Sequence, residues 1–92
     1  MAKHYVYILL SESRSRTYVG HSDNFDRRFA QHNAGKVRST KGFRPWRVLH
    51  IELYFSLAEA KSRELWYKTR AGREHIAVII RDLGLLLVTI AW

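Results

Sequence analysis

Two tyrosine tripeptides, Tyr5-Val6-Tyr7 and Tyr18-Val19-Gly20, stand a short polar stretch apart, and Arg28 and His32 follow four residues from one another. On a helix that spacing puts a guanidinium and an imidazole on one face. Two phenols, a guanidinium and an imidazole are the groups needed to hold and hydrolyse a phosphodiester. Taken singly each is ordinary. Arg28 reads equally well as a surface cation, and His32 as a charge favourably placed at a helix C-terminus. Glu64 is the acid that stands out, mid-helix among Lys61, Arg63 and Lys68. One carboxylate with waters and a substrate phosphate suffices for Mg²⁺, which keeps several waters when protein-bound. The competing reading pairs Glu64 with Lys68 at i,i+4, a contact worth about 0.3–0.5 kcal/mol.

The charge of the chain points to the same class of substrate. Its 16 basic residues against 8 acidic ones leave a net charge of +8. Most of the basic residues are arginine, whose planar fork matches phosphate oxygens better than a lysine does. Between Arg27 and Arg47 the basic residues Arg27, Arg28, Lys36, Arg38, Lys41, Arg44 and Arg47 meet no acidic residue. Phe29, Phe43 and Trp46 are interleaved, either to stack on bases or to anchor the segment. A phosphate-tracking surface is therefore expected, with Arg27, Lys36, Arg38, Lys41 and Arg44 as its contacts. The alternative is a solvated basic surface. With no cysteine, disulfides, thiolate metal sites and thiol nucleophiles are all excluded. Together with an N-terminus that lacks a signal-peptide pattern, this predicts a cytoplasmic protein.

These groups need elements to position them, and 92 residues provide one domain. Tyr5 to Leu10 reads as a buried strand, with Tyr5 and Tyr7 on one face and Val6 and Ile8 on the other. Thr17 to Val19 reads as a short second strand closed by Gly20, paired antiparallel with the first. Ser22, Asp23 and Asn24 offer helix N-caps, and Gly35 a stop, around an apolar stripe of Phe25 and Phe29 that turns toward the core. Gly35 to Pro45 is a loop and Arg47 to Phe55 a third strand. Ser56 and Glu59 form a capping box for a helix running to about Arg70, with Gly72 as its terminator. Glu74 to Leu83 is a further helix. The apolar tail, residues 83–92, is too short to span a membrane. It is expected to pack on the core (about 5–82) or to join two copies in a homodimer.

In order and spacing, Val6-Tyr7, Tyr18-Val19-Gly20, Arg28 with His32 and Asn33, and Glu64 resemble the GIY-YIG endonuclease superfamily. Within it they are similar to the small single-domain bacterial members, the YhbQ-like branch. The likeness extends through Asp26 to Lys36, Arg44-Pro45-Trp46 and Ala60 to Lys68, and so covers residues 5 to about 75. It implies an α+β fold, a small three-stranded antiparallel sheet flanked by helices. The activity implied is metal-dependent endonucleolytic hydrolysis of DNA, structure-directed or weakly selective. Carried over by position, Tyr7, Tyr18 and Arg28 are catalytic and Glu64 binds Mg²⁺ or Mn²⁺. A water deprotonated by Tyr18 or Tyr7 would attack in line while Arg28 stabilises charge on phosphorus. A phenol with a pKa near 10 needs assistance at neutral pH, and His32 is the residue to accept or relay its proton. Two positions depart from the pattern: Tyr5 replaces glycine in the first motif, and His21 follows Gly20 where a small polar residue is usual. A nucleic-acid-binding module of the same fold that does not cut is the alternative, and a partner-binding adaptor using the apolar tail is a third.

Overall fold

The central strand is apolar on both faces, and that determines the architecture. In the computed structural model, which describes residues 2–84, strand β1 (His4–Ser11) is flanked by β2 (Thr17–Ser22) and β3 (Trp46–Tyr54) in an antiparallel sheet of order β2-β1-β3. Helix α1 (Phe25–Asn33) and the loop behind it cover one face, while α2 (Leu57–Tyr67) and α3 (Arg70–Asp82) cover the other. Alternation along β1 separates two cores, as its sequence predicts. Val6, Ile8 and Leu10 join Val19, Leu49, Ala60, Tyr67 and Ile76 beneath α2 and α3. Tyr7 and Leu9 join Trp46 on the other side, with Tyr18, Phe25, Phe29 and Phe43 packed around them. The β1–β3 register shifts between Ile8, opposite His50, and Leu9, opposite Val48. Leu49 is thus an extra residue, a bulge that turns its side chain into the helix-covered core.

Three boundaries differ from those predicted. Gly20 does not close β2, which continues through His21 to Ser22. It lies opposite Tyr7 in the ladder, and a Cβ there would come within 2.6 Å of the Tyr7 phenol oxygen and 2.9 Å of the Tyr18 ring. The glycine is needed for space. Helix α2 ends at Tyr67 rather than near Arg70, because Thr69 caps a new helix by accepting from the Gly72 N–H at 3.2 Å. Gly72 is therefore inside α3 and not a terminator. Its absent Cβ lets the α3 backbone approach that of Trp66 and Tyr67, where a methyl group would meet backbone atoms at 2.2–2.6 Å. Finally, the stretch predicted as loop contains a 3-10 turn at Lys41–Phe43 and a fully buried Thr40. The expectation for the tail lies mostly outside the described residues.

On the helical face a half-buried carboxylate, Glu52, sits beside the core. Glu52 accepts from Arg63 through both oxygens (2.9 and 3.2 Å), from Tyr54 at 2.7 Å, from His50 at 2.9 Å, and from Tyr67. Burial works to raise its pKa, but these donors outweigh it and bring the carboxyl down to about 2. Arg63 also stacks over Trp66 and Tyr67, 4.2 and 4.6 Å from the ring centres. In the sequence Glu52 is one polar residue among the apolar ones of the third strand. In the fold it ties β3 to α2.

Candidate active site

Asn24 caps α1 by accepting from the Arg27 N–H at 3.0 Å, and this fixes which α1 residues face the sheet. Phe25, Phe29 and His32 then form one inward stripe. Phe25 meets the Tyr7 ring edge-on at 5.4 Å, and His32 is fully buried with its ring 4.9 Å from that of Tyr18. The predicted division between an apolar face and an Arg28–His32 face does not hold for His32, which joins the aromatic side. Asn33 clamps the end of the helix to β3 by donating to the Trp46 carbonyl (3.0 Å) and accepting from the Trp46 N–H (2.7 Å).

The buried imidazole has two partners. Thr40 Oγ1 donates to the Val37 carbonyl at 3.3 Å, so its oxygen accepts from His32 Nδ1–H at 2.8 Å. That leaves His32 Nε2 as the acceptor for the Tyr7 hydroxyl, at 2.9 Å. The chain Tyr7 to His32 to Thr40 to Val37 thus has one direction of donation, set by its last carbonyl. Burial, with Arg28 nearby as a second cause, pushes the His32 pKa down to about 4. Burial, reinforced by Tyr18, pushes the Tyr7 phenol up to about 12, against the opposing pull of a hydrogen bond from Arg28. Both groups are neutral at pH 7. No sequence signal distinguishes Thr40 from the surrounding polar loop.

Glu64 approaches from the opposite face of the sheet. Its Oε1 accepts from His21 Nδ1 at 2.6 Å and its Oε2 from Lys68 Nζ at 3.0 Å. The Lys68 pair read from the sequence is present, yet Glu64 does not turn away into solvent. Its side chain is only 17% exposed, and its charge acts on the Tyr7 phenol. Burial favours the protonated acid, but the bonds from His21 and Lys68 prevail and lower its pKa, so it is a carboxylate at neutral pH. Among the described residues no group of three or more His, Asp or Glu converges to cage a metal. A single ionised carboxylate suits a hard cation that keeps its waters and takes phosphate oxygens. To that extent the residues fit Mg²⁺ or Mn²⁺.

The side chains of Tyr7, Tyr18, Arg28, His32 and Glu64 are therefore brought together, around β2. Arg28, held by Gln31 at 3.1 Å, and His21 line one cleft of about 740 Å³ with Arg27. Of the five predicted phosphate contacts, Arg27 alone lines that cleft, where it also pairs with Asp23 at 3.3 Å. Lys36, Arg38, Lys41 and Arg44 are exposed on the segment after α1, and Arg44 Nε is tied to the Lys41 carbonyl at 2.7 Å. His21, the departure from the expected motif, is what joins Glu64 to the β2 strand.

Similarity to known proteins extends over most of the chain. Residues 3–76 match the GIY-YIG catalytic domain. A UPF0213 protein of Staphylococcus haemolyticus is 40% identical over 80 residues, covering 86% of this chain and 96% of that one. Another, from Natronomonas pharaonis, is 37% identical over 78 residues and covers 82% and 91% of the two chains. The solution NMR structure of a UPF0213 protein from Bacillus halodurans superimposes with a TM-score of 0.51 at 32% identity, over 84% of each chain.

Proposed function

This chain belongs to the GIY-YIG family of nucleases, and on that premise we propose that it is a metal-dependent endonuclease hydrolysing phosphodiester bonds in DNA, structure-directed or weakly selective. The observation that carries the reading is the Tyr7–His32 hydrogen bond of 2.9 Å, held beside Arg28 and within the field of Glu64. Tyr7 is the phenol with an acceptor already in place. As an attacking water loses its proton to the Tyr7 oxygen, the Tyr7 hydroxyl proton passes to His32 Nε2, so no free phenolate forms. A phosphate docked on Arg28 offsets part of the charge that depresses His32, which makes the imidazole a better acceptor when substrate is present. Arg28 then stabilises the charge that builds on the phosphoryl oxygens. Tyr18, half-buried against His32, is the second phenol of the site. Glu64 would hold Mg²⁺ or Mn²⁺, whose charge would neutralise the scissile phosphate and its leaving oxygen.

A non-cleaving nucleic-acid-binding module is favoured by one observation, that both Glu64 oxygens already accept from His21 and Lys68. Its signature is salt-sensitive binding without metal-dependent cleavage. The test is cleavage of flapped, branched and single-stranded DNA with Mg²⁺ or Mn²⁺. Loss of about 100-fold or more is expected in Arg28→Ala and Glu64→Ala. Unchanged activity in either variant overturns the mechanism.

A further inference from the structure

A second cavity, of about 340 Å³, lies along the outer edge of β2 and plays no part in the chemistry above. Its volume is that of a small-ligand site. Tyr18, Phe43 and Trp46 line it, with ring centres 6.3 Å (Tyr18–Trp46) and 6.4 Å (Phe43–Trp46) apart. Arg16 and Lys68 also line it, and the Arg16 guanidinium stacks on the Phe43 ring at 4.2 Å. The Tyr18 and Phe43 rings are tilted 61° and 58° from that of Trp46, and with the planar Arg16 cation they form a cradle of aromatic faces and edges suited to holding a nucleobase.

The cavity adjoins both halves of the active site. Tyr18 forms its wall and also touches the His32 ring, while Lys68 lines it and binds Glu64. We propose that this cavity takes one unpaired nucleobase, from the nucleotide next to the phosphate held at Arg28 and Glu64. The position of that nucleotide rests on the nuclease reading; the base site itself does not. A base within a duplex is stacked and paired and cannot enter, so the occupant is a base in a single strand or one turned out of a helix.

The full chain in excess EDTA, which prevents cleavage, is titrated by fluorescence anisotropy with three labelled oligonucleotides of equal charge. These are a single strand of thymidines, the same backbone without bases, and a duplex hairpin. The base-bearing single strand is expected to bind more tightly than the abasic one by about 5- to 150-fold, the range of one base–aromatic stack. Phe43→Ala removes most of that difference and leaves abasic binding unchanged. Equal binding of the base-bearing and abasic strands overturns the proposal. So does an equal loss on both strands in Phe43→Ala, which would show that the ring supports backbone binding and not the base. Base-dependent binding without cleavage on restoring metal would sink the nuclease and leave the base site standing. Cleavage without base dependence would do the reverse.

Discussion

Acidification should unfasten this fold through His32. The imidazole is fully buried, donates to Thr40 and accepts from Tyr7, and burial with the nearby Arg28 holds its pKa at about 4 against 6.5 when free. Between those two values the unfolded chain binds a proton that the folded chain refuses. Stability is therefore complete above about pH 6.5 and lost as pH falls toward 4. The full shift corresponds to about 3 kcal/mol, of which about 2 kcal/mol is gone by about pH 5. Urea unfolding at about pH 7, 6 and 5 measures this, and the wild-type midpoint should drop by about 1–2 M. His32→Asn is the reference. It is less stable at pH 7, but it lacks the titrating group, so its midpoint should change much less across the same window. Subtracting the two curves isolates His32 from the other titrating groups. Parallel curves for wild type and variant would refute the buried neutral imidazole, and with it the direction of the Tyr7–His32–Thr40 chain.

Gly20→Ala places a methyl group 2.6 Å from the Tyr7 oxygen; we expect about 1–3 kcal/mol of destabilisation and a loss of nuclease activity, read by thermal melting and cleavage. A variant as stable and active as wild type would show that Tyr7 is not fixed by that contact. Glu52→Gln leaves Arg63 without its bidentate partner and should cost about 2 kcal/mol at pH 7. The wild-type Glu52 contribution is complete above about pH 4.5 and lost as pH falls toward 2, so the two proteins should converge in acid, as chemical denaturation would show. Gly72→Ala forces a methyl group into the backbone of Trp66 and Tyr67 and should lower stability by several kcal/mol. An ordinary helix-stabilising response there would contradict the close α2–α3 approach.

What could be read from the sequence was whatever a local pattern enforces. The Val6, Ile8 and Leu10 alternation against Tyr7 and Leu9 specifies a strand buried on both faces, and the polar residues before Phe25 mark a helix start. Ser56 marks another in the same way, accepting from the Glu59 N–H at 3.0 Å. Contacts made across long stretches of chain leave no such trace. Thr40 looks like any residue of a polar loop until the fold brings it to His32. Glu52 looks like the outward member of an alternating strand, yet five bonds from four side chains reach it once α2 closes over β3. The helix break at Lys68 and Thr69 was missed because neither residue is a strong breaker, whereas Gly72, a plausible terminator by type, serves packing between helices. For Tyr7, Tyr18, Arg28 and Glu64 the residue types and their order were enough to nominate a site. Which phenol has the proton acceptor required the coordinates.

The position of β2 explains how residues from opposite faces of a sheet can serve one site. Tyr18 and Gly20 point to the α1 side, with Tyr7 across the ladder, whereas His21 points to the α2 side and meets Glu64. On a central strand those two sets would be separated by a neighbouring strand. Because β2 is an edge, the α1-side and α2-side groups meet around it, and Gly20 makes room for the Tyr7 phenol beside the Tyr18 ring. His21 and Arg28 accordingly line the same cleft although they belong to different layers. A phosphate seated there would meet Arg28 and His21, with the Tyr7–His32 pair buried on the α1 side and Glu64 bonded to His21 on the α2 side. The second tyrosine motif therefore does two things. Tyr18 shapes the aromatic side, and the glycine two residues later leaves the room that the Tyr7 phenol occupies.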